Sequence, residues 1–252
     1  MIWLAYSFLF LQTLLLMFFM GFSFFNYLYG IASLGSPTIR RVKQSQRTVA
    51  VVIVSFNEKY VLEDTLRSCE SLSYQNKIII LADDSTDPLV IENTRTLARN
   101  RNCKKIENKK FFQETISASG DSKLEPIEIW ESPGFVLFHR PSNLGFKAGS
   151  LEKLLPYLEE RGIELMYLLD ADWHPQTDAL ERTMEVLEAE QDIAFVQTKR
   201  LAFPKGMNVF QKYVALNEEG CYYVDFEGRQ VLGHPTLFSG CCTLFTKRRE
   251  GV

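Results

Sequence analysis

The sequence of 252 residues predicts an α/β class with a mostly parallel sheet, on three observations. The runs Val49-Ala-Val-Val-Ile-Val-Ser55 and Lys77-Ile-Ile-Ile-Leu-Ala82 are continuously apolar, the pattern of strands buried on both faces. Between them, Val61, Leu62, Thr65, Leu66, Cys69 and Leu72 recur at helical spacing, so strand, helix and strand form a right-handed βαβ unit. This alternation then continues along most of the chain.

Taken in order, the stretch from Ile2 to Tyr29 carries no charged residue and exceeds the ~20 apolar residues needed to cross a bilayer. Residues 1–30 are therefore expected to form one transmembrane helix. A cleavable signal peptide competes with this reading, but it would need a basic start and a shorter apolar stretch. Residues 31–48 form a basic juxtamembrane linker. Its Arg40, Arg41, Lys43 and Arg47 place the rest of the chain in the cytoplasm by the positive-inside rule. A domain is expected over 49–252. Beyond its first βαβ unit, residues 89–110 look helical and become very basic; this is a solvated face or, more sharply, a contact with anionic lipid. Residues 114–133 read as an irregular insertion around a short strand near 127–130, and Phe135-Val-Leu-Phe-His139 as a further strand. Next come a loop over 140–147, a helix over 148–160, a strand ending at Asp170, a helix over 177–190 and a strand over 193–197.

Composition excludes some partners. A formal net charge of -3 argues against a dedicated nucleic-acid binder. Five cysteines show no paired spacing for zinc, and their odd number is a poor disulfide framework, so they read as reduced thiols, with Cys241 and Cys242 as small buried hydrophobes.

In open sheets of this class, ligands bind beyond the carboxyl ends of the strands. Four polar clusters fall at that edge: Ser55-Phe-Asn57-Glu58, Asp83-Asp84, the loop Arg140 to Lys147, and Asp170-Ala-Asp172. Asp170 and Asp172 end a buried strand at i and i+2, so both carboxylates can face one hard cation. The alternative is a turn and helix cap before Pro175. His174 reads as a surface residue at a helix start rather than a ligand.

The ordered motifs Val54-Ser-Phe-Asn-Glu58, Asp83-Asp84-Ser-Thr-Asp87, Arg140-Pro-Ser-Asn-Leu-Gly-Phe-Lys-Ala-Gly149, Asp170-Ala-Asp172 and Phe238-Ser-Gly240 resemble glycosyltransferase family 2. The closer likeness is to its membrane-bound cellulose and hyaluronan synthase-like branch. The resemblance implies a GT-A (Rossmann-like) nucleotide-sugar-binding domain behind one membrane helix. It assigns Asn57, Glu58, Asp83, Asp84, Lys147 and Asp170 to the nucleotide, with Asp83 and Asp84 at the base and Lys147 at the diphosphate. Asp170 and Asp172 would hold Mg2+ or Mn2+. The expected reaction is inverting transfer of a sugar, UDP-linked because an Asp acceptor suits the N–H of uracil, to a glycan or lipid acceptor. The family's later acidic motif, which supplies the general base, and its Gln-x-x-Arg-Trp signature do not occur before Val252. An amino-terminal fragment of a longer enzyme is therefore expected. The rival readings are a truncated, non-catalytic nucleotide-sugar-binding regulator of a full-length synthase, and a dolichyl-phosphate type sugar transferase or nucleotidyltransferase on a similar sheet.

Overall fold

The computed structural model describes residues 2–35, 45–108, 110–116, 122–190, 193–200 and 206–247. Arg40, Arg41 and Lys43 of the basic linker, and the last five residues, lie outside these. In chain order the elements are α1 (Ile2–Ser33), β1 (Val49–Ser55), α2 (Leu62–Glu70), β2 (Lys77–Asp83), α3 (Pro88–Asn100), β3 (Lys104–Lys105), β4 (Phe112–Ile116), β5 (Ser122–Pro126), β6 (Glu128–Ser132) and β7 (Phe135–His139). Then come α4 (Phe146–Glu160), β8 (Leu165–Asp170), α5 (Ala179–Ala189), β9 (Phe195–Gln197), α6 (Val209–Gly220), a π-helical stretch (Cys221–Phe226), α7 (Glu227–Val231) and β10 (Thr243–Thr246). Two compact units result: residues 40–198 with 239–252, and residues 1–39 with 199–238. The expected domain over 49–252 thus contributes one internal stretch, 199–238, to the unit that holds α1.

The larger unit is built on an eight-stranded sheet in the order β3-β6-β7-β2-β1-β8-β10-β9. Its centre, β7-β2-β1-β8, is parallel, while β6 and β10 pair antiparallel to it. The α/β class with a mostly parallel sheet is what the structure shows. Alternation along the strands divides the core into two layers. Val49, Val51, Ile53, Leu81, Leu137 and Leu169 face one way, toward Leu62, Leu66 and Cys69 of α2 and Leu180, Met184 and Leu187 of α5. Ala50, Val52, Ile80, Ala82, Phe138 and Leu168 face the other, toward Leu154, Tyr157 and Leu158 of α4. Burial on both faces explains why β1 and β2 lack polar alternation.

Three expectations change. The helix read over 89–110 stops at Asn100, and its basic run is laced with acids. Arg95 meets Glu128 through two 2.9 Å bonds, Arg101 lies 2.6 Å from Glu70, and Lys110 lies 3.1 Å from Glu160. These pairs, with those of Arg99 to Glu92 and Lys105 to Glu128, fit the solvated face better than the lipid contact. The irregular insertion contains a regular hairpin, β4–β5. Arg47, read as a juxtamembrane charge, pairs with Glu164 and Glu188 on the domain surface. All five cysteines are free, and Cys241 and Cys242 are buried as expected.

The smaller unit holds α1, α6, the π-helical stretch and α7. Within α1, Tyr6–Ser33 is long and apolar enough to cross a membrane by length and composition, a test that a signal sequence also passes.

Candidate functional site

The carboxyl ends of β1, β2, β7 and β8 lie side by side in register, with Ser55 opposite Asp83, Asp83 opposite His139, and Val54 opposite Asp170. Each strand end delivers one of the polar clusters. Just past β1, Asn57 takes a left-handed backbone, φ 55°, which Asn tolerates better than most residues. Its Oδ1 accepts bonds from the amides of Thr86 and Asp87, both at 3.0 Å, and its own amide donates to Ser85 Oγ at 2.9 Å. Asn57 thereby ties the β1 turn to the β2 turn. Glu58 is half-buried beside it. The cap of α3 is neither Asp83 nor Asp84 but Asp87, which accepts from the Leu89 amide at 3.0 Å ahead of Pro88.

Asp83 and Asp84 are both buried. Asp83 Oδ1 accepts from Ser55 Oγ at 2.7 Å and Ser85 Oγ at 2.6 Å, and its Oδ2 lies 2.9 Å from His139 Nδ1. Asp84 is held in a fork by Arg140, with Nε donating to Oδ1 at 2.6 Å and Nη2 donating to Oδ2 at 2.5 Å. Ser150 Oγ adds a 3.2 Å bond to Oδ1. Burial pushes the Asp84 carboxyl above its usual range, while the bonds from Arg140 and Ser150 pull the other way.

Arg140 is itself fully buried and uses its whole fork. Beyond Asp84, Nη1 donates to Gln113 Oε1 at 3.1 Å and to the Leu144 carbonyl at 3.2 Å, and Nη2 donates to the Phe146 carbonyl at 3.3 Å. The last two bonds hold a turn in which Gly145 and Phe146 both have positive φ, 75° and 52°. Phe146 in that region stores strain on the order of 1 kcal/mol, which the surrounding bonds offset. Gly149 completes the turn, because a Cβ there would collide with the Leu144 carbonyl oxygen. In the sequence Arg140 stands within a motif but has no role that its neighbours in the chain reveal. The missing signal was its partner, 56 positions away in the chain.

From this turn α4 starts, and Lys147 reaches across the edge. Its Nζ forms an ion pair with Asp170 at the end of β8 and donates to the Gly240 carbonyl at 2.6 Å. Gly240 is itself left-handed, φ 92°. Gln197 fixes that turn: its Oε1 accepts from Ser239 N at 3.1 Å and Thr243 Oγ1 at 2.7 Å, and its Nε2 donates to the Cys241 carbonyl at 3.0 Å. Gln197 is a second residue whose part in the site was not read from the sequence. Asp170 is 40% exposed at its side chain and Asp172 is exposed. The turn between them is anchored by Thr65 Oγ1, which donates to the Ala171 carbonyl at 2.5 Å. His174 is exposed, as expected of a surface residue.

The structure thus brings Asn57, Asp83, Asp84, Lys147 and Asp170 into one hydrogen-bonded edge, with Glu58 and Asp172 on flanking turns. Among the described residues, no group of three or more His, Cys, Asp or Glu side chains is placed to hold a metal ion alone. Asp170 and Asp172 supply two hard oxygen donors, a set that fits Mg2+ or Mn2+ when phosphate oxygens and water complete the shell.

No family model matches the chain. In sequence it is similar to a probable glucomannan 4-beta-mannosyltransferase 9 of Oryza sativa subsp. japonica, 27% identical over 155 residues, which covers 60% of this chain and 24% of that protein. It is similar also to a probable glucomannan 4-beta-mannosyltransferase 14 of Arabidopsis thaliana, 31% identical over 59% of this chain and 24% of that one. Among solved structures, a mannosyltransferase from Pyrobaculum calidifontis in complex with GDP-Man and Mn2+ aligns with TM-score 0.45 and 18% identity, over 69% of this chain and 42% of its own. The chain spans about a quarter of the length of the curated relatives it matches, and all of those named here are mannosyltransferases.

Proposed function

We infer that residues 49–198 and 239–247 form the nucleotide-sugar-binding half of a family 2 glycosyltransferase with a GT-A type domain, which α1 anchors to a membrane. The observation that carries this reading is the position of Lys147. It joins the start of α4, the end of β8 and the Gly240 turn at the carboxyl edge of the sheet, where an open α/β sheet binds its ligand. The similarity to glucomannan mannosyltransferases over 60% of the chain supports the same class.

In this reading Asn57 and Glu58 line the nucleotide pocket, and Asp83 and Asp84 form its acidic floor beneath the base. Because both carboxylates are already bonded inside the protein, their share of base recognition runs through the backbone and through Ser85, which donates to Asp83 and accepts from the Asn57 amide. Lys147 faces the donor diphosphate as a point cation, exchanging Asp170 for a phosphate oxygen. Asp170 and Asp172 hold Mg2+ or Mn2+, which when bound offsets charge on the leaving nucleotide diphosphate. The sugar passes to a glycan or lipid hydroxyl with inversion. The resemblance favours a UDP-sugar as donor, although the Asp84 oxygens that would accept the uracil N–H are taken by Arg140 and Ser150; the mannosyltransferase relatives favour a mannose donor such as GDP-mannose as the second reading. The rival of a non-catalytic nucleotide-sugar-binding regulator keeps the same pocket and predicts binding without transfer.

Calorimetric titration of the detergent-purified chain with UDP and with GDP, with and without manganese, tests the site as a whole. Manganese-dependent binding of one nucleotide is expected, and Lys147→Ala should weaken the diphosphate far more than the free nucleoside. Equal weakening of both would exclude the phosphate contact, and metal-independent binding would exclude the cation site.

A further inference from the structure

Two adjacent thiols follow Gly240 in the chain, and the proposed donor site uses neither. Consecutive residues of an extended segment send their side chains to opposite sides. Cys241 and Cys242 depart from this, since both are buried in the same core layer, with Leu169, Ala171 and Leu180. The cause is the backbone of Cys242, which is left-handed, φ 54°, a conformation uncommon outside glycine and asparagine. That bend brings the two sulfurs to 3.6 Å, with the Cys241 thiol donating to Cys242 Sγ.

The bend is held from outside the pair. The Cys241 carbonyl accepts from Gln197 Nε2 and Thr243 Oγ1, both at 3.0 Å. The Cys242 carbonyl accepts from Thr198 N at 3.0 Å, Thr198 Oγ1 at 2.7 Å and Gln197 Nε2 at 3.2 Å. Two small core residues gain nothing from a strained bend, and strain that the surroundings hold in place points to a use for it. A donated S–H favours the thiolate of its acceptor. Cys242, 6% exposed against 0% for Cys241, is therefore the sulfur arranged to react first.

We propose that Cys241 and Cys242 form a site of reversible oxidation, closing a disulfide between neighbouring residues when a small hydroperoxide reaches them. With hydrogen peroxide, Cys242 Sγ attacks one oxygen and breaks the O–O bond, giving a sulfenic acid and water. Cys241 Sγ then displaces the hydroxyl as a second water and forms the S–S bond. The two thiols give up two electrons and two protons, and the peroxide takes up both. A bridge between neighbours spans a Cα separation of ~3.8 Å, shorter than the ~4.4–6.8 Å of ordinary disulfides, so thiols reopen it readily. Closure also reaches the donor site, on the reading of Lys147 given above. Gly240 precedes the pair, has φ 92°, and offers its carbonyl to Lys147 at 2.6 Å. Drawing the sulfurs together turns the peptide between them, and Gly240, free of a Cβ, is where the chain takes up the change and moves the acceptor of Lys147.

The full chain carrying Cys221→Ser, which removes an exposed thiol, is purified in detergent, reduced, and exposed to hydrogen peroxide for graded times. Remaining thiols are alkylated after unfolding, and the peptide holding Cys241 and Cys242 is weighed. It is expected to lose two hydrogens, escape alkylation, and regain both thiols with dithiothreitol. Burial pushes the Cys69 thiol up to about 12, which makes it the inert reference, and the pair should react about tenfold faster or more. In Cys241→Ala, dimedone should trap a sulfenic acid on Cys242, and in Cys242→Ala it should trap none on Cys241. The mass reading needs neither variant, so misfolding of one leaves it intact. Oxidation no faster than that of Cys69, addition of oxygen in place of loss of hydrogen, or a bond from either sulfur to another cysteine would overturn the proposal.

Titration with UDP and GDP in manganese tests the coupling. The oxidised chain is expected to bind the diphosphate several-fold more weakly, and reduction should restore it. Equal affinity in the two forms would overturn the link to Lys147. Binding by neither form would overturn the reading of the donor site and leave the disulfide standing.

Discussion

Two acidic pairs stand at the same edge of the same sheet, and the structure treats them in opposite ways. Asp83 and Asp84 lie at the end of β2, are buried, and spend their carboxylate oxygens on Ser55, Ser85, His139, Arg140 and Ser150. Asp170 and Asp172 close β8 and are less buried, Asp170 paired with Lys147 and Asp172 exposed. The difference lies in what surrounds each strand end. β2 is flanked by β1 and β7, whose succeeding turns bond to its end, whereas the turn after β8 is anchored at Ala171 by Thr65 and leaves Asp172 exposed. An acidic pair at a strand end is therefore one sequence signal with two physical outcomes, a clamp or a ligand site, and neighbouring turns decide between them.

The largest effect should come from breaking the clamp. Arg140→Leu leaves the Asp84 charge buried without a partner, and urea unfolding is expected to show a loss of ~3–5 kcal/mol. Adding Asp84→Asn should recover part of that loss; no recovery would mean that Arg140 acts mainly through Gln113 and the 144–146 turn. A half-buried carboxylate, Glu128, sharpens the point away from the site. Burial would raise Glu128, but bonds from Arg95, Trp130 and Lys105 outweigh it and hold the group at about 2, below its ordinary 4.5. Its contribution to stability should thus be complete above pH 4.5 and be lost as the pH falls toward 2, with an upper bound on the order of 3 kcal/mol. Glu128→Gln should flatten the stability profile in that window, and an unchanged profile would refute the assignment.

The open pair should respond differently. Asp172→Asn is expected to weaken manganese-dependent nucleotide binding by about tenfold or more, ~1.4 kcal/mol, while unfolding stability stays within ~0.5 kcal/mol of the native chain. A large loss of stability there would erase the contrast between the two pairs. The smallest effect belongs to Ser150→Ala, which removes one of the bonds to Asp84 and should lower stability by ~0.5–1.5 kcal/mol in the same unfolding experiment.

Much of the larger unit was legible because its signals are local. The apolar runs of β1, β2 and β8 and the helical spacing of α2 reflect burial that each segment carries in its own pattern, and the structure places those elements within a few residues of expectation. The basic run over 95–110 misled because its composition suggested a continuing helix, while its acidic partners come from three other elements, Glu63 and Glu70 from α2, Glu128 from β6 and Glu160 from α4. The β4–β5 hairpin was hidden by polar strands that bury little besides Gln113. The apolar residues of α6 are exposed among the described residues, so no partner segment in the sequence marks them out.

By itself the sequence determined the α/β class, the apolar first helix, and the four polar clusters at the carboxyl edge of the sheet, since each depends on residues close together in the chain. Only the tertiary structure decided that Asp84 belongs to Arg140, that Lys147 reaches both Asp170 and Gly240, and that Gln197 secures the Gly240 turn. Those pairings join residues 23 to 93 positions apart. A carboxylate becomes a clamp or a ligand through the donors and solvent around it, and strand order and the folding of turns supply both.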